Sequence, residues 1–169
     1  SIRFFDGRGA NRPWLCEIPD PLTRVAWQTP VLMNPETLKA EGLKEGERVR
    51  ISVGKARIEA PVYDAPGVKP GVLVMSIGQG HSAYGRYARG QGVNPFLVLP
   101  GGTDPASGGP LHLVSGADLK PTGQVDGLAR TDGARRTASA LWARSGSDRD
   151  ARWPGSAWSA TWIPTISPG

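Results

Sequence analysis

The residues best equipped for chemistry lie in one glycine-rich stretch, GQGHSAYGRYARGQGVNP, at positions 78–95. It gathers His81, Tyr84, Arg86, Tyr87, Arg89 and Asn94, spaced by Gly78, Gly80, Gly85, Gly90 and Gly92. Arginine carries a fork of N–H donors suited to phosphate or carboxylate, and asparagine, glutamine and tyrosine can meet the edge of a heterocycle. Glycine permits positive φ and lets a ligand approach the main chain closely. These are the tools of ligand binding. Between 78 and 95 there is no carboxylate, and Ser82 is the one hydroxyl besides the tyrosines, so His81 has no partner for general acid–base work. A hydrogen bond to ligand or backbone is its expected role. Cys16, beside Glu17 and without a flanking base, reads as a buried or incidental thiol. No catalytic residue is assigned.

The spacing excludes the common phosphate fingerprints. A P-loop requires Gly-Lys-Ser/Thr, and the Gly-Lys here, Gly54-Lys55, is followed by Ala56. A dinucleotide fold of the Rossmann kind requires Gly-x-Gly-x-x-Gly between strand and helix, whereas Gly78-Gln-Gly80 is followed by Gly85 and no helical pattern. One cysteine among 169 residues rules out an internal disulfide framework, and with His81 and His112 as the histidines no protein-only metal site is expected. The net charge of +5 is a modest surplus, concentrated in the loop and again at Arg130, Arg135, Arg136, Arg144, Arg149 and Arg152. No stacked-aromatic RNA motif or basic helix accompanies it, so nucleic acid is not the expected partner. No apolar run reaches membrane-spanning length, and direct membrane insertion is not expected. The absence of an initiator methionine suggests a processed or excised piece.

The elements that must hold the loop are mostly strands, as 23 glycines and 16 prolines in a chain of 38% hydrophobic content suggest. Residues 4–14 form a second irregular stretch, in which Asn11 and Trp14 are either a polar contact and an anchor or a surface loop pinned by one buried tryptophan. Val31 to Met33 predicts a short strand. From Asn34 to Gly42 the sequence predicts a helix, with Asn34 as N-cap, Pro35 in the first turn, Glu36 at the positive dipole end and Gly42 as left-handed C-cap. Leu38 and Leu43 should turn inward. Alternation from Glu47 to Val53 and from Ala56 to Tyr63 around the Gly54-Lys55 turn predicts a hairpin, with Val49, Ile51 and Val53 on one face. The nearly continuous apolar run 71–77 predicts a strand buried on both faces, delivering the chain into the loop. Leu111 to Ser115 is a further strand candidate, and 118–131 a weak edge strand. After residue 131 periodicity vanishes, and 132–169 reads as an irregular or disordered tail beside a domain of residues 1–131.

Three sets of residues together resemble a known family: Asn11-Arg-Pro-Trp-Leu15, the strand–helix–hairpin run from Val31 to Tyr63, and the loop from Ile77 to Pro95. They resemble the C-terminal molybdopterin-dinucleotide-binding domain of the dimethyl sulfoxide reductase family. The likeness runs over about residues 3–131 and is nearest to the molybdopterin-like iron–sulfur subunit of alternative complex III and polysulfide-reductase-like complexes. It implies a mainly β fold, a six-stranded double-psi β-barrel with one or two short helices. It also implies molybdopterin guanine dinucleotide as cofactor, the other domains or subunits of an oxidoreductase as partners, and a place on the periplasmic face in a membrane complex. Carried onto matching positions, it nominates Asn11, Trp14, Gly78, Gln79, Gly80, His81, Tyr84, Gly92 and Asn94 as cofactor contacts, and a pyrophosphate would suit Arg86 or Arg89. The family's molybdenum-ligating residue and cysteine-rich cluster motif have no counterpart here, so redox chemistry is not assigned to this sequence. Two other readings stand beside this one. One is a cofactor-free assembly domain of a quinol-oxidising or polysulfide-reductase-like respiratory complex. The other is a small β-barrel binding anions through its basic loop.

Overall fold

The structure, a computed structural model, describes residues 2–131. The expected tail, 132–169, lies outside the described residues. Five strands form one mixed sheet: β1 (Val31–Met33), β2 (Glu47–Val53), β3 (Ala56–Asp64), β4 (Leu73–Met75) and β5 (Asp118–Val125). Their order across the sheet is β4-β1-β3-β2-β5. β1 runs parallel to β3 and antiparallel to β4, and β2 is antiparallel to both β3 and β5.

The expected hairpin is β2–β3, in register at Val49 opposite Ala60 and Ile51 opposite Ile58. It turns at Gly54, whose φ of +59° is the left-handed conformation a tight hairpin turn needs. The expected helix is α2 (Pro35–Ala40), following α1 (Pro13–Glu17) in chain order. Asn34 Oδ1 accepts the Glu36 N–H at 2.9 Å, satisfying one of the donors a helix start leaves unpaired. Its Nδ2 donates to the Val68 carbonyl at 2.7 Å, so the cap also ties down the turn beyond β3. Gly42 ends the helix at φ +65°, and Leu38 and Leu43 do turn inward. They join Val31, Met33, Val49, Ile51, Ile58, Ala60, Val62 and Val98 in the main apolar cluster. Each large side chain fully buried there contributes roughly 1.5–3 kcal/mol by transfer from water.

Three expectations are corrected. The six-stranded double-psi barrel is not found: the sheet is open, with β4 and β5 at its two ends. Closure fails at identifiable places. Leu111 to Ser115 has strand composition but forms no strand ladder, hemmed between a glycine- and proline-rich connector and Gly116 at φ +74°. The run 71–77 yields ladder pairing only over Leu73–Met75, because Gly71 and Gly78 both take positive φ and bend the chain out of register. β4 is therefore a three-residue strand at the sheet's end rather than a strand buried on both faces, and Val74 is 43% exposed. Pro13 sits in the first turn of α1, where a missing N–H is tolerated.

A second, smaller cluster of Phe4, Ala10, Cys16 and Ala88 stands apart from the sheet. It joins the 4–14 segment to the glycine-rich loop.

Candidate functional site

The loop leaves β4 at Ser76 and returns to regular structure in a 3₁₀ helix, Pro95–Val98. Between them it folds on itself. The Gly80 N–H donates to the Gln91 carbonyl at 2.9 Å and the Gly90 N–H to the His81 carbonyl at 3.1 Å, drawing the two arms together around an isolated bridge between His81 and Arg89. Asn94 Oδ1 accepts the Phe96 N–H at 3.1 Å and so starts the 3₁₀ helix.

Glycine serves this compaction rather than an open cradle. A Cβ on Gly78 would meet Phe4 Cβ at 2.7 Å, one on Gly80 would run into the Asn94 backbone, and one on Gly92 would collide with Gln79 and Thr29. At Gly85 the space is filled by the Asn11 side chain. The close approach that these glycines permit is used by the chain's own atoms.

Asn11 and Gln79 are likewise spent inside the protein. Asn11 Oδ1 accepts the N–H groups of Tyr87 at 3.0 Å and Ala88 at 3.3 Å. Gln79 is buried: its Oε1 accepts from Thr29 Oγ1 at 2.7 Å, and its Nε2 donates to the Trp27 carbonyl at 2.9 Å. His81 packs its ring 5.1 Å from that of Tyr84, and its Nε2 is enclosed beside Gly7 without a hydrogen-bond partner among the described residues. Trp14 is not the buried pin of its segment; it is 59% exposed, and Phe4 does the anchoring.

What faces outward is the arc from Tyr84 to Arg89. The Tyr84 hydroxyl donates to the Arg8 carbonyl at 3.2 Å, while the residue remains 46% exposed. The Arg86 guanidinium lies over the Tyr87 ring, 4.7 Å from its centroid, and donates to the Tyr87 hydroxyl at 2.6 Å. Arg12, Arg86 and Arg89 are exposed and form no ion pair among the described residues. Arg8, by contrast, is paired with Asp6 at 2.7 Å. Its donated hydrogen bonds and charge hold the Asp6 carboxyl far below the usual carboxylate range. Burial pushes the Cys16 thiol up.

This donor set fits an anionic dinucleotide. Unpaired guanidinium groups suit phosphate oxygens, and the exposed tyrosine and tryptophan faces suit a heterocycle. The fit is through side chains. Of the nominated residues, Tyr84 and Arg86 share the exposed arc, and Trp14 is exposed on α1. Gly78, Gln79, Gly80, His81, Gly92, Asn11 and Asn94 build the scaffold beneath. Sequence reasoning missed Phe4 and Thr29, which pack and bond to the loop from far away in the chain and carry no local signal.

A mainly β domain that mounts one long cationic and aromatic loop beside its sheet defines a ligand-binding module. Residues 20–114, more than half of the chain, match the family described as Molydopterin dinucleotide binding domain, and the chain belongs to that family. It is 42% identical over 94 residues to the arsenate respiratory reductase molybdopterin-containing subunit ArrA of Shewanella sp. (strain ANA-3), covering 53% of this chain and 11% of that protein. It is 30% identical over 91 residues to the menaquinone reductase molybdopterin-binding-like subunit of Nitratidesulfovibrio vulgaris, covering 53% of this chain and 13% of that one. Against the thiosulfate reductase molybdopterin-containing subunit PhsA of Salmonella typhimurium the identity is 26% over 92 residues, 54% of this chain and 12% of the relative. The chain thus spans about an eighth of the length of these relatives. Family and donor chemistry agree on a molybdopterin dinucleotide as the cofactor.

Proposed function

We propose that the Tyr84 to Arg89 arc, together with Trp14 on α1, holds the dinucleotide portion of the guanine form of the cofactor, within an oxidoreductase assembled from further domains or subunits. The observation that carries this reading is that Arg86 and Arg89, on the glycine-rich loop, are exposed and form no ion pair among the described residues. Arg86 and Arg89 bind phosphate oxygens, and Tyr84 and Trp14 offer ring faces to the heterocycles. The bound cofactor supplies the electron-transfer chemistry, and this domain supplies binding and orientation. We further propose that the whole assembly works at the periplasmic face of a membrane.

Calorimetric titration of the full chain with molybdopterin guanine dinucleotide, and with GMP and CMP as fragments, tests the reading. Saturable binding that prefers GMP is expected. Losing the two charge-assisted contacts in an Arg86→Ala/Arg89→Ala variant should weaken it by at least tenfold, since each such bond is worth roughly 1.5–3 kcal/mol. Absence of binding to the wild-type chain at millimolar concentrations would overturn it.

One observation favours a second reading, a cofactor-free assembly domain of a respiratory complex. The glycine spaces at 78, 80, 85 and 92 are filled by the protein itself, and one relative is described as molybdopterin-binding-like. In that case the chain binds no nucleotide yet co-purifies with partner subunits.

A further inference from the structure

We infer that Asn11 is the positioning residue of the site: it fixes the 84–89 arc so that Arg86 and Tyr87 present their side chains to a phosphate-bearing heterocycle. The ligand half of this inference rests on the function proposed above. The geometry stands on its own.

Successive backbone N–H groups left pointing outward from a loop form a ready anion site. In this loop the N–H groups of Tyr87 and Ala88 are withdrawn from that use, because both donate to the single Oδ1 of Asn11, at 3.0 and 3.3 Å. The loop closes on this amide without a gap. The Asn11 side chain fills the space that a Cβ would need at Gly85, where φ is +83°. Ala88 is buried with Phe4, Ala10 and Cys16, which sets the arc's depth. Upstream, the Arg8 carbonyl takes the Tyr84 hydroxyl at 3.2 Å.

Two fasteners, Arg8 to Tyr84 and Asn11 to Tyr87 and Ala88, therefore span the arc. Between and beyond them Arg86 and Arg89 are turned to solvent. Asn11 precedes the residues matched to the family, 20–114. Its role differs from the contact role that family likeness nominates. Asn11 acts through the loop and does not touch the ligand.

Two variants of the full chain, Asn11→Leu and Asn11→Asp, separate positioning from contact. Amide hydrogen exchange is followed by NMR without ligand, and GMP is then titrated. In Asn11→Leu the protection of the Tyr87 and Ala88 amides should fall at least tenfold while the β2 amides of Val49 and Ile51 hold theirs. GMP affinity should fall at least tenfold with it. Asn11→Asp keeps an acceptor oxygen in place and should restore the protection. In the wild-type chain, GMP should shift the Arg86 and Tyr87 resonances and leave the Asn11 side-chain amide unmoved.

A loss of GMP affinity with protection intact, or an Asn11 amide that shifts with GMP, would make Asn11 a ligand contact and overturn the inference. Lost protection with unchanged GMP affinity would overturn it as well. A wild-type chain that ignores GMP refutes the proposed function and the ligand half together, and the exchange arm still decides whether Asn11 holds the arc.

Discussion

Gly80 and Gly90 lie in the same loop, both in left-handed backbone, at φ +84° and +71°. They differ in surroundings. A Cβ on Gly90 meets nothing within 4 Å, whereas one on Gly80 lands on the backbone of Val93 and Asn94. Alanine at Gly90 costs about 1–2 kcal/mol for the left-handed conformation, offset by about 0.4–1 kcal/mol from a stiffer unfolded chain, for a net loss of about 1 kcal/mol. Alanine at Gly80 carries the same two contributions plus overpacking of roughly 3 kcal/mol, the upper end because backbone must move rather than a flexible side chain. Its net loss is about 4 kcal/mol, a large share of a domain's total stability. Urea unfolding of Gly80→Ala and Gly90→Ala, followed by far-ultraviolet circular dichroism, gives the comparison. With a slope of about 2 kcal/mol per molar urea, the midpoints should differ by about 1.5 M. Equal midpoints would refute the view that the loop's arms are pressed together by its own glycines.

Asn34→Ala should cost about 2 kcal/mol, the high end for a lost cap, because the Val68 carbonyl loses its donor too; thermal unfolding gives the value. Thr29→Val leaves the buried Gln79 Oε1 without its donor and should cost about 1–3 kcal/mol, read from chemical denaturation. The Asp104 carboxyl is held below its ordinary range, chiefly by the Ser107 hydroxyl. Because its folded-state pKa is depressed, its contribution is present above the unfolded-state pKa and is lost as pH falls through the folded one. Acid titration by NMR should then show the Ser107 amide losing protection, and at a higher pH in Ser107→Ala. Val74→Lys places a charge on the uncharged strand β4 at the end of the sheet; sedimentation at high concentration should show less self-association in the variant than in the wild-type chain.

Local signals made much of the frame legible. The Asn34–Pro35 start and Gly42 end of α2 are physical requirements of a helix, and the alternation around Gly54-Lys55 dictates the β2–β3 hairpin. What failed was decided by pairing over distance. Apolar composition at 71–77 and 111–115 says that these segments can be strands, yet whether they find partners depends on the glycine bends beside them. The sheet consequently stays open where closure was expected. The candidate site divides in the same way. The arginines and tyrosines at 84–89 are legible from the sequence as a cluster of donors and ring faces. That Asn11 and Gln79 serve as internal fasteners rests on contacts of 76 and 50 residues in separation, which no local pattern encodes.

Separate apolar clusters under the sheet and under the loop also set an order of assembly. The β2–β3 hairpin closes across a tight turn, so its entropy cost is small and it forms early. Joining Asn11 to Tyr87 closes a span of 76 residues, at a chain-entropy cost on the order of 4 kcal/mol beyond the nucleating constant. During synthesis from the N-terminus, residues 4–14 must wait until position 88 has left the ribosome. The 4–14 strap therefore closes after the β2–β3 hairpin, as do β5 and the segment after it, which bond to Arg48 and Gln28 across 78 and 101 residues. Any ligand that requires the closed strap ties it down by mass action. Occupancy of the domain would register as protease resistance around residues 4–14, well away from the strands.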